Sequence, residues 1–267
     1  MNGPIDSDAD PDADDAALAR ALGAAGESGA VTAAQLKDLM VLAGRSAQAA
    51  GTRAVTSGRW FADITLAAAE HLPVRDLATL RQHHDGLLGP LLAGSLVRNA
   101  SLATAAVGAA TGALAAVSET TPATWVTLPI ELAAETLVVV AIEMKLVGEL
   151  HEAALVPLPS DLRAKGTIIA RAWADSRGIR PQDALALVRA GSSPAMVGAA
   201  ADLLGRSARD QLANQIRRRI VARVGRHLSS LLPFLIGAAA GAALNRRATR
   251  VLGTKVAASL GIEPPRR

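Results

Sequence analysis

Two stretches of this chain repeat one small-residue pattern, Val107-Gly-Ala-Ala-Thr-Gly-Ala113 and Ile236-Gly-Ala-Ala-Ala-Gly-Ala242. Each contains a Gly-x-x-x-Gly step, Gly108 with Gly112 and Gly237 with Gly241. Residues four apart share one face of a helix, and glycines there let a second backbone come close enough to gain dispersion contacts that larger side chains would block. The pairing predicts that two Gly/Ala-rich helices pack on one another at the centre of the fold. A strand reading has little to support it. Tyr is absent and Phe and Trp together number five, whereas sheets draw on aromatic and β-branched residues to fill a pleated surface.

The fold class expected is therefore all-α, a multi-helix bundle of about six to nine helices at ordinary helix lengths. With 267 residues, half of them hydrophobic, the chain can bury one large core. Residues 1–30 carry Asp6, Asp8, Asp10, Asp12, Asp14, Asp15 and Glu27 against Arg20 alone, and are expected to form an acidic, largely disordered tail because like charges without apolar surface do not collapse. A single helical domain is expected over 31–267. Its first start signal is Thr32-Ala-Ala-Gln35, which has the spacing of a capping box. Others are Asp76, Pro181 and Ser193-Pro194, with stops at Gly178 and Gly191.

Charge and hydropathy bear on partners. Asn99 to Ser118 and Leu228 to Asn245 are uncharged and approach the roughly 20 residues that span a bilayer. The second is flanked on both sides by cations, Arg217, Arg218, Arg219, Arg223 and Arg226 before it and Arg246, Arg247 and Arg250 after it. A simple span biases its cations to one side, so a re-entrant or interfacial hairpin, or a hairpin buried in the bundle, fits better than a clean crossing. Between Arg206 and Leu228 an apolar face of Ala213, Ile220, Val221, Val224 and Leu228, interrupted by Arg217, lies well away from Arg219, Arg223 and Arg226, a pattern that suits an anionic lipid surface and equally an ordinary bundle helix with a solvated face. Nucleic acid is a disfavoured partner, since the segment has no aromatics on which bases could stack. No basic, apolar leader opens the chain, and the cytoplasmic side of the cell membrane is the expected location, with a soluble cytoplasmic protein as the alternative.

Candidate chemistry is sparse. The absence of cysteine removes thiolate nucleophiles and cysteine-held metals. On a helix expected from about Pro129 to Glu152, Glu131, Glu135, Lys145 and Glu149 form one polar stripe at 100° per residue, while Glu143 points away. The stripe reads as structural, with Lys145 and Glu149 paired at i,i+4 and the other carboxylates met by Arg from neighbouring helices. A carboxylate-based enzyme is the less favoured reading. His83-His84-Asp85 reads as a polar helix terminus, because adjacent helical side chains diverge by about 100° and do not converge on an ion. No phosphate loop, dinucleotide fingerprint, nucleophile elbow or His-Glu-x-x-His is present, so no catalytic residue, metal site or cofactor is expected.

Three segments taken together, Ala105-Ala-Val-Gly-Ala-Ala-Thr-Gly112, Leu128-Pro-Ile-Glu-Leu-Ala-Ala-Glu135 and Leu232-Pro-Phe-Leu-Ile-Gly-Ala-Ala-Ala-Gly-Ala-Ala-Leu-Asn245, resemble the EcsC family of bacterial proteins over about residues 75–260. The Leu-Pro-x-Glu step and the Gly-rich segment ending in Asn245 are its most distinctive parts. The resemblance implies an α-helical protein, in some members linked to membrane transport systems, with no catalytic residue to carry over. The expected function is association with the membrane surface or a membrane protein complex, with a soluble helical interaction module as the alternative.

Overall fold

The structure, a computed structural model, describes residues 11–28, 32–57, 59–118, 124–176 and 235–265. Every regular element among them is a helix: α1 Pro11–Ser28, α2 Ala33–Ser57, α3 Arg59–Glu70, α4 Leu77–His83, α5 Gly89–Ser118, α6 Thr124–Ala153, α7 Leu162–Ser176 and α8 Leu235–Ser259. Local chemistry sets several of their ends. At α2 the Thr32 hydroxyl accepts from the Gln35 amide at 3.2 Å while the Thr32 amide donates to the Gln35 side chain at 2.9 Å, a reciprocal capping box. Asp76 caps α4 through the Thr79 amide at 2.7 Å, and that bond holds its carboxyl below the usual range. Asp161 caps α7 through the Ala164 amide at 2.8 Å. The signals at Pro181, Ser193-Pro194, Gly178 and Gly191 lie outside the described residues.

The boundary placed at residue 30 moves toward the N-terminus. Residues 11–28 are helical, and Leu18, Ala19, Leu22 and Ala25 are buried in the core. Leu18, Leu22 and Leu36 lose essentially all their exposure. The aspartates drew attention from an apolar i, i+4, i+7 spacing at 18, 22 and 25 that is helical in its own right. Even Asp15 is engaged: the Trp60 indole of α3 donates to the Ser46 hydroxyl of α2 at 2.7 Å, and that hydroxyl donates to Asp15. One chain of hydrogen bonds thus joins the first three helices. Residues 1–10 lie outside the described residues.

Helix α6 occupies the centre, and each of the other seven described helices touches it. Every residue from Ala134 to His151 is buried, as expected of a helix apolar nearly all round. It starts at Thr124, before Pro129, whose missing amide removes one backbone bond close to the helix start. Helices α5 and α8 form the most extensive pair. They run antiparallel, since Gly108 meets Gly241 whereas Val97, nearer the start of α5, meets Gly253 farther along α8. No helix among the described residues is long and apolar enough to cross a membrane. Of Leu228 to Asn245, the part from Leu235 belongs to α8, and Asn245 is buried in the bundle.

Helix α1 supplies a first test. Leu22→Ala is expected to lower unfolding stability by about 3 kcal/mol, the cost of a core truncation, in urea denaturation followed by circular dichroism. A change within about 0.5 kcal/mol, as for a surface site, would place α1 outside the core.

Candidate functional site

The functional groups of this bundle lie along and around α6. The first cluster is at the α5–α8 crossing. A Cβ placed on Gly108 would stand 2.8 Å from the carbonyl of Gly241 and 2.7 Å from Asn245 Nδ2, and one on Gly241 would stand 3.2 Å from the Gly108 carbonyl oxygen. The two backbones therefore touch where side chains would normally separate them. Asn245 passes over Gly108 and donates to Glu135 Oε1 of α6 at 2.9 Å. The small residues serve a polar contact as well as close packing. Gly112 and Gly237 belong to the same two helices, at positions whose side-chain surroundings are not described.

The second cluster surrounds Glu143, a carboxylate with no solvent exposure. Thr249 of α8 donates to Oε1 at 2.9 Å and the indole of Trp173 in α7 donates to Oε2 at 2.9 Å. Thr104 of α5 donates in turn to the Thr249 hydroxyl at 3.0 Å. Two donors aimed at separate oxygens compensate much of the water a buried carboxylate gives up. Sequence reasoning set Glu143 aside because it lies off the polar stripe. It is off the stripe because it faces α7 and α8, and a buried tryptophan on the next helix is the only signal that pointed to it.

The third cluster closes the C-terminal end of α6. Arg75, in the turn before α4, grips Glu149 with two bonds, Nε to Oε1 at 2.7 Å and Nη2 to Oε2 at 3.0 Å, a fork geometry that favours guanidinium over ammonium. Lys145 Nζ lies 3.6 Å from the same carboxylate. Arg75 also lies 3.3 Å from His83 Nδ1, and arginine has no acceptor, so that nitrogen must carry the lone pair. His84 caps α4 and is nearly buried, with Nδ1 2.9 Å from the Ser95 hydroxyl of α5, which accepts from Arg98 at 3.3 Å. Burial, and after it the nearby Arg75, hold His84 below the ordinary imidazole value; Glu149 opposes them, and His83 and Arg98 add to the lowering.

The stripe of Glu131, Glu135, Lys145 and Glu149 is thus divided between partners. Glu135 serves the α8 crossing and Glu149 the α4 end, and fourteen residues at 1.5 Å rise separate them by about 21 Å. Glu131 lies in α6 with its side chain outside the described residues. The arrangement can hold helices in register and keep charges inside the bundle, and among the described side chains Glu135, Glu143 and Glu149 each meet separate partners. No group of three potential metal ligands converges among the described residues. Arg246, Arg247 and Arg250 are exposed on the outer face of α8, whereas Arg217, Arg218, Arg219, Arg223 and Arg226 lie outside the described residues. Comparison with protein-family models, with curated proteins and with solved structures gives no match to this chain.

Two measurements probe these clusters. Gly108→Ala would gain about 1 kcal/mol from helix propensity alone, yet the contact with Gly241 and Asn245 is expected to turn this into a net loss of about 1–3 kcal/mol in chemical denaturation. The second concerns pH. With its folded value below 6.5, His84 takes up a proton more readily in the unfolded chain, so stability is complete above that value and declines as pH falls below it. His84→Gln should remove this part of the loss, read as a smaller drop in the urea midpoint between neutral and mildly acidic buffer than in the parent protein.

Proposed function

We propose that this is an EcsC-like helical protein that acts by association at an anionic membrane surface, on the cytoplasmic side, rather than by catalysis. The observation that carries the proposal is the outer face of α8. Arg246 and Arg250 stand one turn apart there, and Arg247 lies on the adjoining line between Leu244 and Val251, which are 46% and 60% exposed. Among the described residues no carboxylate forms an ion pair with any of these three arginines. Guanidinium groups beside exposed aliphatic side chains suit the boundary between lipid headgroups and acyl chains. Three cations near an anionic surface would supply about 3 kcal/mol, enough for reversible adsorption.

The rest of the molecule fits an adaptor for such a surface. The buried carboxylates Glu135, Glu143 and Glu149 are committed to holding helices together, which leaves the basic outer face as the candidate for an external partner. The EcsC resemblance extends the proposal to an accessory role beside a membrane transport system.

Co-sedimentation of the full chain with phosphatidylglycerol vesicles, set against phosphatidylcholine vesicles, tests the reading. Binding is expected only to the anionic vesicles and should fade as the screening length shrinks from about 10 Å to about 3 Å between 0.1 and 1 M salt. The combined R246Q, R247Q and R250Q variant should bind about 100-fold more weakly, the equivalent of the 3 kcal/mol above. No binding to either vesicle at low salt would overturn the membrane reading and favour the soluble interaction module.

A further inference from the structure

Two helices of the bundle end in the same hydrogen-bonded turn but fill its critical position differently. At the end of α8 the Gly261 amide donates to the Ala258 carbonyl at 3.1 Å and the Ile262 amide to the Ala257 carbonyl at 2.9 Å, with Gly261 at φ 75°. At the end of α6 the Leu155 amide donates to the Glu152 carbonyl at 3.1 Å and the Val156 amide to the His151 carbonyl at 2.9 Å, with Leu155 at φ 59°. Both are Schellman turns, whose left-handed residue is usually glycine because a Cβ there crowds the following carbonyl. Helix α6 accepts that strain without burying the side chain that causes it, since Leu155 is 77% exposed. A leucine is thus held out in water at a cost to both backbone and solvation.

The residues that follow make an apolar tip. Val156 is exposed beside Leu155, whereas Leu158 packs against the core and ties the turn to it. Every side chain from Ala153 to Pro159 is apolar. The amides of Ala154, Leu155 and Val156 are bonded to the carbonyls of Leu150, Glu152 and His151, and Pro157 and Pro159 have no amide hydrogen. Such a segment surrenders few hydrogen bonds on leaving water. A protein interface fixes its partner with hydrogen bonds as well as apolar contact, and this tip has no side chain to make them; the fluid boundary of a bilayer asks for none. Helix α8 runs parallel to α6, since Asn245 meets Glu135, Thr249 meets Glu143 and Gly253 meets Leu146. The basic face of α8 therefore runs toward the end of the bundle that carries the tip.

We propose that the turn after α6 is a membrane anchor, with Leu155 and Val156 entering the boundary between lipid headgroups and acyl chains. The inference rests on the membrane reading above and names the part of the protein that inserts. The α8 arginines draw the protein to an anionic surface, and the tip gives it a hold that salt does not screen. The strain at Leu155 is then the cost of presenting an apolar side chain to lipid where glycine would present none.

The chain has no cysteine, so the full-length L155C variant carrying an environment-sensitive fluorophore reports from this turn alone. With phosphatidylglycerol vesicles its emission should shift to the blue and be quenched by lipids brominated along their acyl chains. L155G, which relieves the left-handed strain, should leave the urea midpoint level with the parent or above it, yet weaken vesicle binding about tenfold, in line with the burial of one leucine. That loss should be the same at every salt concentration that permits binding, whereas the loss in R246Q with R247Q and R250Q shrinks as salt rises. Equal binding by L155G and the parent, or a fluorophore unmoved while the chain sediments with vesicles, would overturn the anchor, leave the α8 reading standing and turn attention to a protein partner for the tip. A midpoint for L155G well below that of the parent would give Leu155 a packing role and also overturn the anchor. No sedimentation of the parent with anionic vesicles would overturn both readings.

Discussion

Helix α6 is enclosed along its length from Ala134 to His151, so Glu135, Glu143, Lys145 and Glu149 can remain in place only where other elements bring hydrogen bonds or opposite charge to them. Each carboxylate recruits a different neighbour. Glu135 takes Asn245 of α8, Glu143 takes Thr249 of α8 and Trp173 of α7, and Glu149 takes Arg75 from the turn before α4. A mispacked bundle would strand at least one of these groups, and an unpaired buried charge costs several kcal/mol. Apolar packing alone would tolerate a helix sliding by a turn. The polar seams do not, because their donors must meet particular oxygens.

The α5–α8 crossing shows how backbone and side-chain requirements coincide. Close approach at Gly108 and Gly241 brings α8 near enough for Asn245 to reach past α5 to Glu135. An alanine at position 108 would not merely widen the gap; it would occupy the space through which the amide passes. The same proximity sets Thr104 beside Thr249 farther along the pair. Small residues and polar residues on these helices therefore form one design, in which the first sets the distance the second must cover.

Much of this was legible wherever the signal was local. The capping residues Thr32, Gln35 and Asp76, the helical class, the adjacency of Lys145 and Glu149 and the Gly-x-x-x-Gly steps all follow from residues within a turn or two of one another. What escaped depended on distant partners. Arg75 and Glu149 are 74 residues apart in sequence, and nothing near either names the other. Glu143 looked incidental because a helical wheel shows where a side chain points but not what waits there. Residues 11–28 were misjudged for a different reason: their aspartates argued for solvent while Leu18 and Leu22, fewer but correctly spaced, decided the outcome by burial. The basic face of α8 was legible as a run of arginines, though their exposure beside Leu244 and Val251 was not.

The seam between α6 and α8 also dictates an order of events during synthesis. Glu135 and Glu143 emerge from the ribosome more than a hundred residues before Asn245 and Thr249, at separations of 110 and 106. Until the last helix appears, two carboxylates at the heart of the bundle lack donors that α8 alone provides. At about 5–20 residues per second, that interval lasts some 5–20 seconds. During that interval these two α6 carboxylates lack their α8 partners, and the polar seam closes only when α8 docks. Such a chain is most exposed to proteases and to aggregation before α8 has emerged, and a ribosome stalled short of Asn245 would leave Glu135 and Glu143 without the donors that α8 supplies.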